Sequence, residues 1–492
     1  MSLQRKILAG WFAVMVLSAG NLAGAGDDLR LVQAAKARDK EAVRSLLNEK
    51  VDVNVPQPDG ATALQWAAYW DDLETAELLI RAGAKVNAAD DYGVTPITLA
   101  CTNGNGAMVE MLLKAGADPN TTLPAGESAL MTCSRTDSVE AVKSLLARGA
   151  NVNAKENTRD QTPLMWAVSQ KKAAIAQVLI EHGANVNAHS KGDFTPLMFA
   201  ARVGDVDSAR ILLAAGVNVN EAMPASAGGM TPLLMASASG HESLSLFLLE
   251  KGADPNTSDG RAAPLHYAVM KGKFRASMPE LVKALLARGA NPNVRFQRSA
   301  VRGLAGAPGA TPLILAAGDP DVSLMRILLA AGADPKLMTK SNATVLMAAA
   351  GVLQDEAFTV QEQKESLEAV KLMVELGSDV NAVDEDGHAA VHGAANMYNN
   401  GVLQFLAEHG ANLDAKDKHQ QTPLSIASGV HLPWVPKGEE LGEQGFVKKD
   451  TVDLLLKFGA TSLDKPGYFT PVKEDSDTYR LNPKQAIPGL AQ

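Results

Sequence analysis

The sequence predicts an all-α fold, a solenoid of about twelve helix-turn-helix units with β-turn fingers between them. Three observations predict it: a recurring helix start, a glycine at a fixed distance after it, and an apolar stripe between the two. The helix start reads TPLMFAA at Thr195, and close variants stand at positions 162, 231, 311 and 422. A period of about 33 residues is typical of arrays in which each unit buries its apolar face only against its neighbours.

The unit that begins at Thr195 shows how the elements arise. Thr195 can cap a first helix, and the proline after it suits the first helical turn. Gly204 is expected to end that helix, and Asp205 can cap the second one. Gly216 stands where a left-handed residue ends the second helix. Equivalent glycines follow in the other units except the first, where Lys50 takes the place: Gly83, Gly116, Gly149, Gly183, Gly252, Gly289, Gly332, Gly377, Gly410 and Gly459.

This pattern resembles the ankyrin-repeat family, whose repeats begin T-P-L-H-x-A and recur about every 33 residues. The resemblance covers the array predicted at residues 26–460, which is irregular, with insertions, after residue 221. It implies helix pairs that bind another protein through a concave face and through the fingers. It also implies that His266 and His392, at the fourth position of the motif, bond to backbone between neighbouring repeats. A metal site at His388 and His392 is the alternative, although these two residues straddle a helix start instead of sharing one helix face.

The first 25 residues read as a secretory signal peptide. Arg5 and Lys6 precede an apolar run at 7–17, which is short for a membrane span, and small residues follow at 23–25. We therefore expect cleavage before Gly26 and a secreted or periplasmic bacterial protein; an uncleaved membrane anchor is the alternative. Residues 461–492 are expected to form a C-terminal extension, an extended segment packed over the last repeat.

Composition narrows the class of function. The chain has a formal net charge of −9, which argues against a general nucleic-acid binder. It carries none of the familiar motifs for nucleophilic, phosphate-binding, zinc or haem chemistry, so we predict no enzyme activity, no cofactor and no metal. We also expect a monomer with no membrane span once the signal peptide is removed.

The two cysteines, Cys101 and Cys133, are predicted to be buried small residues without a disulfide. They occupy small positions of adjacent repeats, but packed helices run about 8–10 Å apart and a disulfide needs Cα atoms within about 7 Å. The two positions are also offset by one residue, which is expected to turn the side chains apart.

Candidate partner-binding residues follow from the positions that the resemblance places on the concave surface and at finger tips. The aromatic and arginine side chains there are of types that anchor protein interfaces. In the regular repeats these are Tyr69, Trp70, Tyr92, Phe194 and Arg202; in the long finger at 294–309 they are Arg295, Phe296, Arg298 and Arg302. Ordinary surface exposure is the alternative for each. The residues just before the paired small positions form a separate column, for which packing is favoured over an aromatic ligand box: Trp66, Leu99, Thr132, Trp166, Phe199, Met235, Tyr267, Leu315 and Ile426.

The function predicted from these observations is a non-enzymatic secreted scaffold that binds a partner protein. The first alternative is an enzyme or small-molecule binder with a site in the inserted loops of repeats eight to twelve. A further alternative is a regulatory subunit of a periplasmic redox enzyme.

Overall fold

The structure is a computed structural model that describes residues 28–270, 277–297, 307–354, 357–428, 446–461, 469–471 and 478–481. The expected signal peptide, Arg298, Arg302 and most of the C-terminal extension lie outside these ranges. The chain divides into two compact blocks, with the boundary between Thr158 and Arg159. We call them the N-terminal and the C-terminal block and describe each by itself.

The N-terminal block contains four helix pairs, which form repeats one to four. First helices pack on first helices, and second helices pack on second helices, so the block is two layers deep. The helices are α1 (Arg30–Ala37), α2 (Lys40–Asn48), α3 (Ala63–Tyr69), α4 (Leu73–Arg81), α5 (Pro96–Asn103), α6 (Gly106–Lys114), α7 (Ala129–Ser134) and α8 (Val139–Ala147).

The C-terminal block, described by itself, is also two layers deep and contains eight helix pairs among its described residues. A short 3-10 helix, Ala225–Ala227, lies in the finger before repeat seven. The helices are α9 (Pro163–Ser169), α10 (Ala173–Glu181), α11 (Pro196–Val203), α12 (Val206–Ala214), α13 (Pro232–Ala238), α14 (Glu242–Glu250), α15 (Pro264–Val269), α16 (Pro279–Ala287), α17 (Pro312–Gly318), α18 (Val322–Ala330), α19 (Val345–Ala349), α20 (Val360–Glu375), α21 (Ala390–Asn396), α22 (Asn400–Glu408), α23 (Pro423–Ala427) and α24 (Lys449–Lys457). The predicted twelve helix pairs are thus confirmed.

The irregular repeats depart from the expected layout in two places. The second helix of repeat ten, α20, has 16 residues and begins at Val360, so it absorbs part of the insertion expected at 353–366. The chain also forms strands near its C-terminus: β1 (Phe446–Lys448) lies within repeat twelve, directly before α24, and makes an antiparallel sheet with β2 (Phe469–Pro471) and β3 (Thr478–Leu481) in the order β1-β3-β2. Within the described residues, no helix has the length and apolar character needed to cross a membrane.

The caps predicted for repeat six are confirmed. The Thr195 hydroxyl accepts a hydrogen bond from the Met198 N–H at 3.4 Å, and the Asp205 carboxylate accepts one from the Ser208 N–H at 3.2 Å. Gly204 and Gly216 have φ values of 72° and 88°, in the left-handed region that glycine tolerates at helix ends.

Replacing Gly216 by valine is expected to destabilise the C-terminal block. No atom lies within 4 Å of the position a Cβ would take, so the penalty comes from backbone strain alone, about 1–3 kcal/mol for a β-branched residue with positive φ. Thermal melts of Gly216→Val against Gly216→Asn test this, since asparagine tolerates the left-handed conformation. Equal melting of both variants and the wild type would contradict the assigned register.

An asparagine that follows seven of the helix pairs ties its repeat to the next one. Asn54 donates from its amide to the Gly83 carbonyl at 3.2 Å and accepts from the Lys85 N–H at 2.7 Å. In the described chain the same two bonds are made by Asn54, Asn87, Asn120, Asn220, Asn256, Asn293 and Asn381. We call this series the asparagine ladder. Lys336 stands at the equivalent position after repeat nine.

The prediction for the cysteines is wrong. Cys101 in α5 and Cys133 in α7 form a disulfide, and their Cα atoms are 4.4 Å apart. Both residues are completely buried. The usual spacing of about 8–10 Å is the distance between helix axes, and Cα atoms lie about 2.3 Å from their own axis, so facing Cα atoms of two packed helices come within reach of a disulfide. The one-residue offset between the motifs does not separate the two sulfur atoms.

Candidate protein-binding surface

The predicted aromatic pair lies where the first helix of repeat two ends. Tyr69 is the last residue of α3, and Trp70 follows it as the helix cap. The two rings meet edge to face with centroids 4.8 Å apart, and Tyr69 also contacts Trp66 at 5.7 Å. Trp66 is buried, Tyr69 is half-buried and Trp70 is 38% exposed. The rings therefore run from the core to the surface.

Two cations from repeat one cover these rings. Lys36 Nζ lies 4.7 Å from the centroid of Trp66, and the Arg38 guanidinium lies 5.7 Å from that of Trp70. Cations at such distances are attracted by the negative face of the ring. We call Lys36, Arg38, Tyr69 and Trp70 the Trp70 patch.

Trp70 has a structural role that sequence reasoning missed. Its indole N–H donates to the Lys36 carbonyl at 3.0 Å, which ties repeat two to repeat one. Trp70 therefore takes part in a contact between repeats as well as being a candidate partner contact. Indole donors commonly find an acceptor even when only part of the ring is buried.

Tyr92 projects from the finger that leads into α5, and 58% of its surface is exposed. The finger is rigid at its base, because the Asp90 carboxylate accepts from the N–H groups of Tyr92 at 2.9 Å and Val94 at 2.8 Å. Burial of Asp90 raises the pKa of its carboxyl, and these two hydrogen bonds oppose that rise. A fixed finger thus presents an exposed phenol.

Phe194 and Arg202, both predicted partner contacts, lie together in repeat six. The Arg202 guanidinium is 5.4 Å from the Phe194 ring centroid and 4.8 Å from that of Phe199. Phe199 is only 2% exposed and belongs to the core, whereas Arg202 is exposed. The structure therefore brings these two predicted residues into one cluster.

The predicted partner contacts in the long finger at 294–309 differ from those in the regular repeats. Phe296 is only 8% exposed and packs against the His266 ring at 5.6 Å, so little of this predicted partner contact reaches the surface. Arg295 is exposed, but its guanidinium donates to the Met338 carbonyl of the next finger at 2.8 Å. Arg298 and Arg302 lie outside the described residues. The sequence did not reveal that the described ends of the finger bond to each other, with the Phe296 N–H donating to the Ala310 carbonyl at 2.9 Å.

The predicted packing column is largely buried. Trp66, Leu99, Trp166, Phe199, Leu315 and Ile426 lie in the core, and Thr132, Met235 and Tyr267 are half-buried. The packing interpretation is confirmed for the buried members. The interface candidates are thus the residues beyond this column, at the helix ends.

His266 joins repeats eight and nine, as the family resemblance implies. Its Nδ1 accepts from the Ala263 N–H at 3.0 Å, and its Nε2 lies 3.1 Å from the Val294 carbonyl and donates to it. Burial lowers the pKa of His266 to about 4, so the ring is neutral. His392 repeats the arrangement with Ala389 and Ala415, and burial again lowers its pKa.

The surroundings of His388 differ from those of His266 and His392. Its Nδ1 is 3.2 Å from an Asp384 carboxylate oxygen, and its Nε2 is 3.6 Å from one of Asp417. Burial lowers the pKa of His388, but the hydrogen bond and charge of Asp384 and the charge of Asp417 outweigh it, so the pKa is raised. No group of three or more His, Cys, Asp or Glu side chains among the described residues is arranged to hold a metal ion.

Comparisons with known proteins agree with this architecture. The family model described as "Ankyrin repeats (3 copies)" matches residues 31–123, 115–190, 187–259, 223–296 and 357–432, which together exceed half of the chain. Human Ankyrin repeat and SOCS box protein 16 is 29% identical over 226 residues, 40% of this chain and 47% of that protein. Human Neurogenic locus notch homolog protein 1 is 30% identical over 221 residues, 40% of this chain and 7% of that protein. The crystal structure of the human ASB11 ankyrin repeat domain is 27% identical with a TM-score of 0.40, and the match covers 45% of this chain and 96% of that one.

The chain spans less than half the length of these two full-length relatives. The assignment therefore depends on the repeats themselves: the family model, the helix pairs, the fingers and the histidine bonds between repeats. Repeats of this kind generally mediate protein–protein interaction, and proteins built from them are typically non-enzymatic. This chain belongs to the ankyrin-repeat family.

Proposed function

We propose that this chain is a non-enzymatic scaffold, secreted or periplasmic in a bacterium, that binds a partner protein. The contacts are made by the ends of its first helices and by its fingers. The observation that carries the proposal is the Trp70 patch, where an exposed indole lies on a regular repeat between a fixed tyrosine and a cation. Trp, Tyr and Arg dominate the binding energy of protein interfaces.

Rigidity supports this proposal. The indole of Trp70 is fixed by its bond to the Lys36 carbonyl, and Tyr92 stands on a finger whose base is hydrogen-bonded. A side chain that is already ordered loses little conformational entropy when a partner binds. Such residues can therefore contribute most of their contact energy to affinity.

Two observations support export from the cytoplasm. One is the leader-like sequence at residues 1–25. The other is the disulfide between Cys101 and Cys133, because such bonds form and persist in oxidising compartments such as the bacterial periplasm.

The alternative enzyme or small-molecule site gains no specific support. The titratable cluster around His388 is built by the regular fingers of repeats eleven and twelve, not by insertions. Its members are buried, with little surface for a substrate to reach. The redox-subunit alternative likewise has no observation in its favour.

Replacing Tyr92 by alanine is expected to weaken partner binding by about 2 kcal/mol if the phenol is an anchor, without loss of stability. The exposed ring makes this test cleaner than truncating Trp70, which would also remove the bond to Lys36. The partner is first captured by crosslinking in a periplasmic extract, then purified and titrated by calorimetry.

Leu376→Ala is the matched control, because Leu376 is 46% exposed but ends a second helix. The proposal requires that this control bind normally. If Leu376→Ala weakens binding while Tyr92→Ala and Tyr69→Ala do not, the contact surface is wrongly assigned.

A further inference from the structure

We infer that Arg202 is a receptor for a carboxylate, supplied by an acidic side chain of the partner protein. This inference rests on the proposed function and specifies the chemistry of the partner. The observations concern the way the guanidinium is held, the donors it leaves available and the charges around it.

The guanidinium of Arg202 is held in place by two rings. Phe199 is fixed in the core, and Phe194 is fixed by its finger, where its N–H donates to the Ser190 hydroxyl at 3.1 Å. At 5.4 Å from the Phe194 ring centroid and 4.8 Å from that of Phe199, the guanidinium is attracted by the negative faces of the rings. The arginine is therefore ordered before any ligand arrives.

The N–H groups of the Arg202 guanidinium are not used within the described chain. Arg202 forms no side-chain hydrogen bond there and has no carboxylate oxygen within 4 Å, although its backbone carbonyl accepts from the His241 ring at 3.0 Å. Two other exposed arginines are already engaged, since Arg81 pairs with Glu77 and Arg295 donates to a backbone carbonyl. Arg202 thus retains its full donor capacity at the surface.

Charges of both signs lie near Arg202 along the chain, including the half-buried Asp193 and the exposed Asp207. Lys171 and Lys172 occupy the equivalent turn of repeat five, whose first helix packs against that of repeat six. The neighbouring acid Asp205 is buried and caps α12. A planar guanidinium matches the two oxygens of a carboxylate in a bidentate pair, which is stronger and more directional than the point charge of a lysine.

Arg210 provides a matched control on the other layer. Its guanidinium lies 4.9 Å from the Phe247 ring centroid, so it is also an exposed arginine beside a phenylalanine ring. It belongs to the second helix α12, away from the proposed partner surface.

The experiment is a peptide-display selection on the whole purified chain, followed by calorimetry with the strongest peptide. Selected peptides are expected to carry Asp or Glu. Arg202→Gln and a peptide with that acid changed to its amide should each weaken binding by roughly ten- to a hundredfold, and the two changes together should cost no more than one. Arg202→Lys should recover only part of the loss, and Arg210→Gln should bind like the wild type.

Three outcomes overturn the inference. If peptides bind but their affinity does not depend on Arg202, the proposal of a protein-binding scaffold is retained. The inference that Arg202 receives a carboxylate is then overturned. If succinate alone binds at Arg202 as tightly as the peptide, the site recognises a free carboxylate instead of a protein side chain. If no peptide is enriched, the inference fails, and the crosslinking experiment alone decides whether a protein partner exists.

Discussion

Replacing Cys101 and Cys133 by alanine is expected to lower the free energy of unfolding of the N-terminal block by about 3 to 4 kcal/mol. The disulfide closes a loop with a sequence separation of 32 residues, and a cross-link of that span removes this much entropy from the unfolded chain. Alanine fits both positions, because other repeats carry it there, as at Ala200 and Ala201. Urea denaturation of the oxidised wild type and the double variant measures the difference.

The wild type refolded under reducing conditions is the control for this measurement. It keeps both sulfur atoms but lacks the bond, so it should unfold close to the double variant. Equal stability of the oxidised and reduced wild type would show that the disulfide contributes nothing to the folded block.

The second large effect is a loss of stability in mild acid through His266. Its pKa is lowered to about 4 in the folded chain from an ordinary value of 6.5. Between these two values the unfolded chain binds a proton that the folded chain does not, so stability falls as the pH falls from 6.5 towards 4. The full shift corresponds to about 3 kcal/mol. His392 acts in the same direction, whereas His388, whose pKa is raised, contributes stability below pH 6.5 that is lost as the pH rises through its folded pKa.

His266→Gln tests this because the chain already uses glutamine at the same position. Gln65 in repeat two accepts from the Thr62 N–H at 2.6 Å and donates to the Val94 carbonyl at 2.7 Å, the same two bonds that His266 makes. The variant should match the wild type near pH 7 and exceed it in stability at pH 5 in denaturant melts. His266→Leu, which loses both bonds, should be less stable at both pH values. A glutamine variant with the same acid sensitivity as the wild type would exclude His266 as the cause.

The repeat architecture could be predicted because each repeat carries the pattern for its own helix pair within its own sequence. The helix starts, caps and glycines depend on residues within a few positions of each other, and twelve copies fix the register. The disulfide could not be predicted in this way, since it depends on how closely two helices approach. The burial of Phe296 and the bond from Trp70 to Lys36 likewise arise from tertiary packing, which a single repeat does not encode. On the surface, the sequence identified Phe194 and Arg202 as separate candidates by their positions, but it did not predict that they contact each other.

The asparagine ladder influences how the C-terminal block unfolds locally. Each rung couples one repeat to the next, so in a linear array the rungs set how far a local opening spreads. Lys336 interrupts the series at the boundary between repeats nine and ten, and repeat ten has a five-residue first helix, α19. This boundary lacks a rung, although α17 and α19 pack against each other across it. We therefore expect a local opening of the C-terminal block to spread less readily across this boundary than across those between repeats six and nine, which Asn220, Asn256 and Asn293 span.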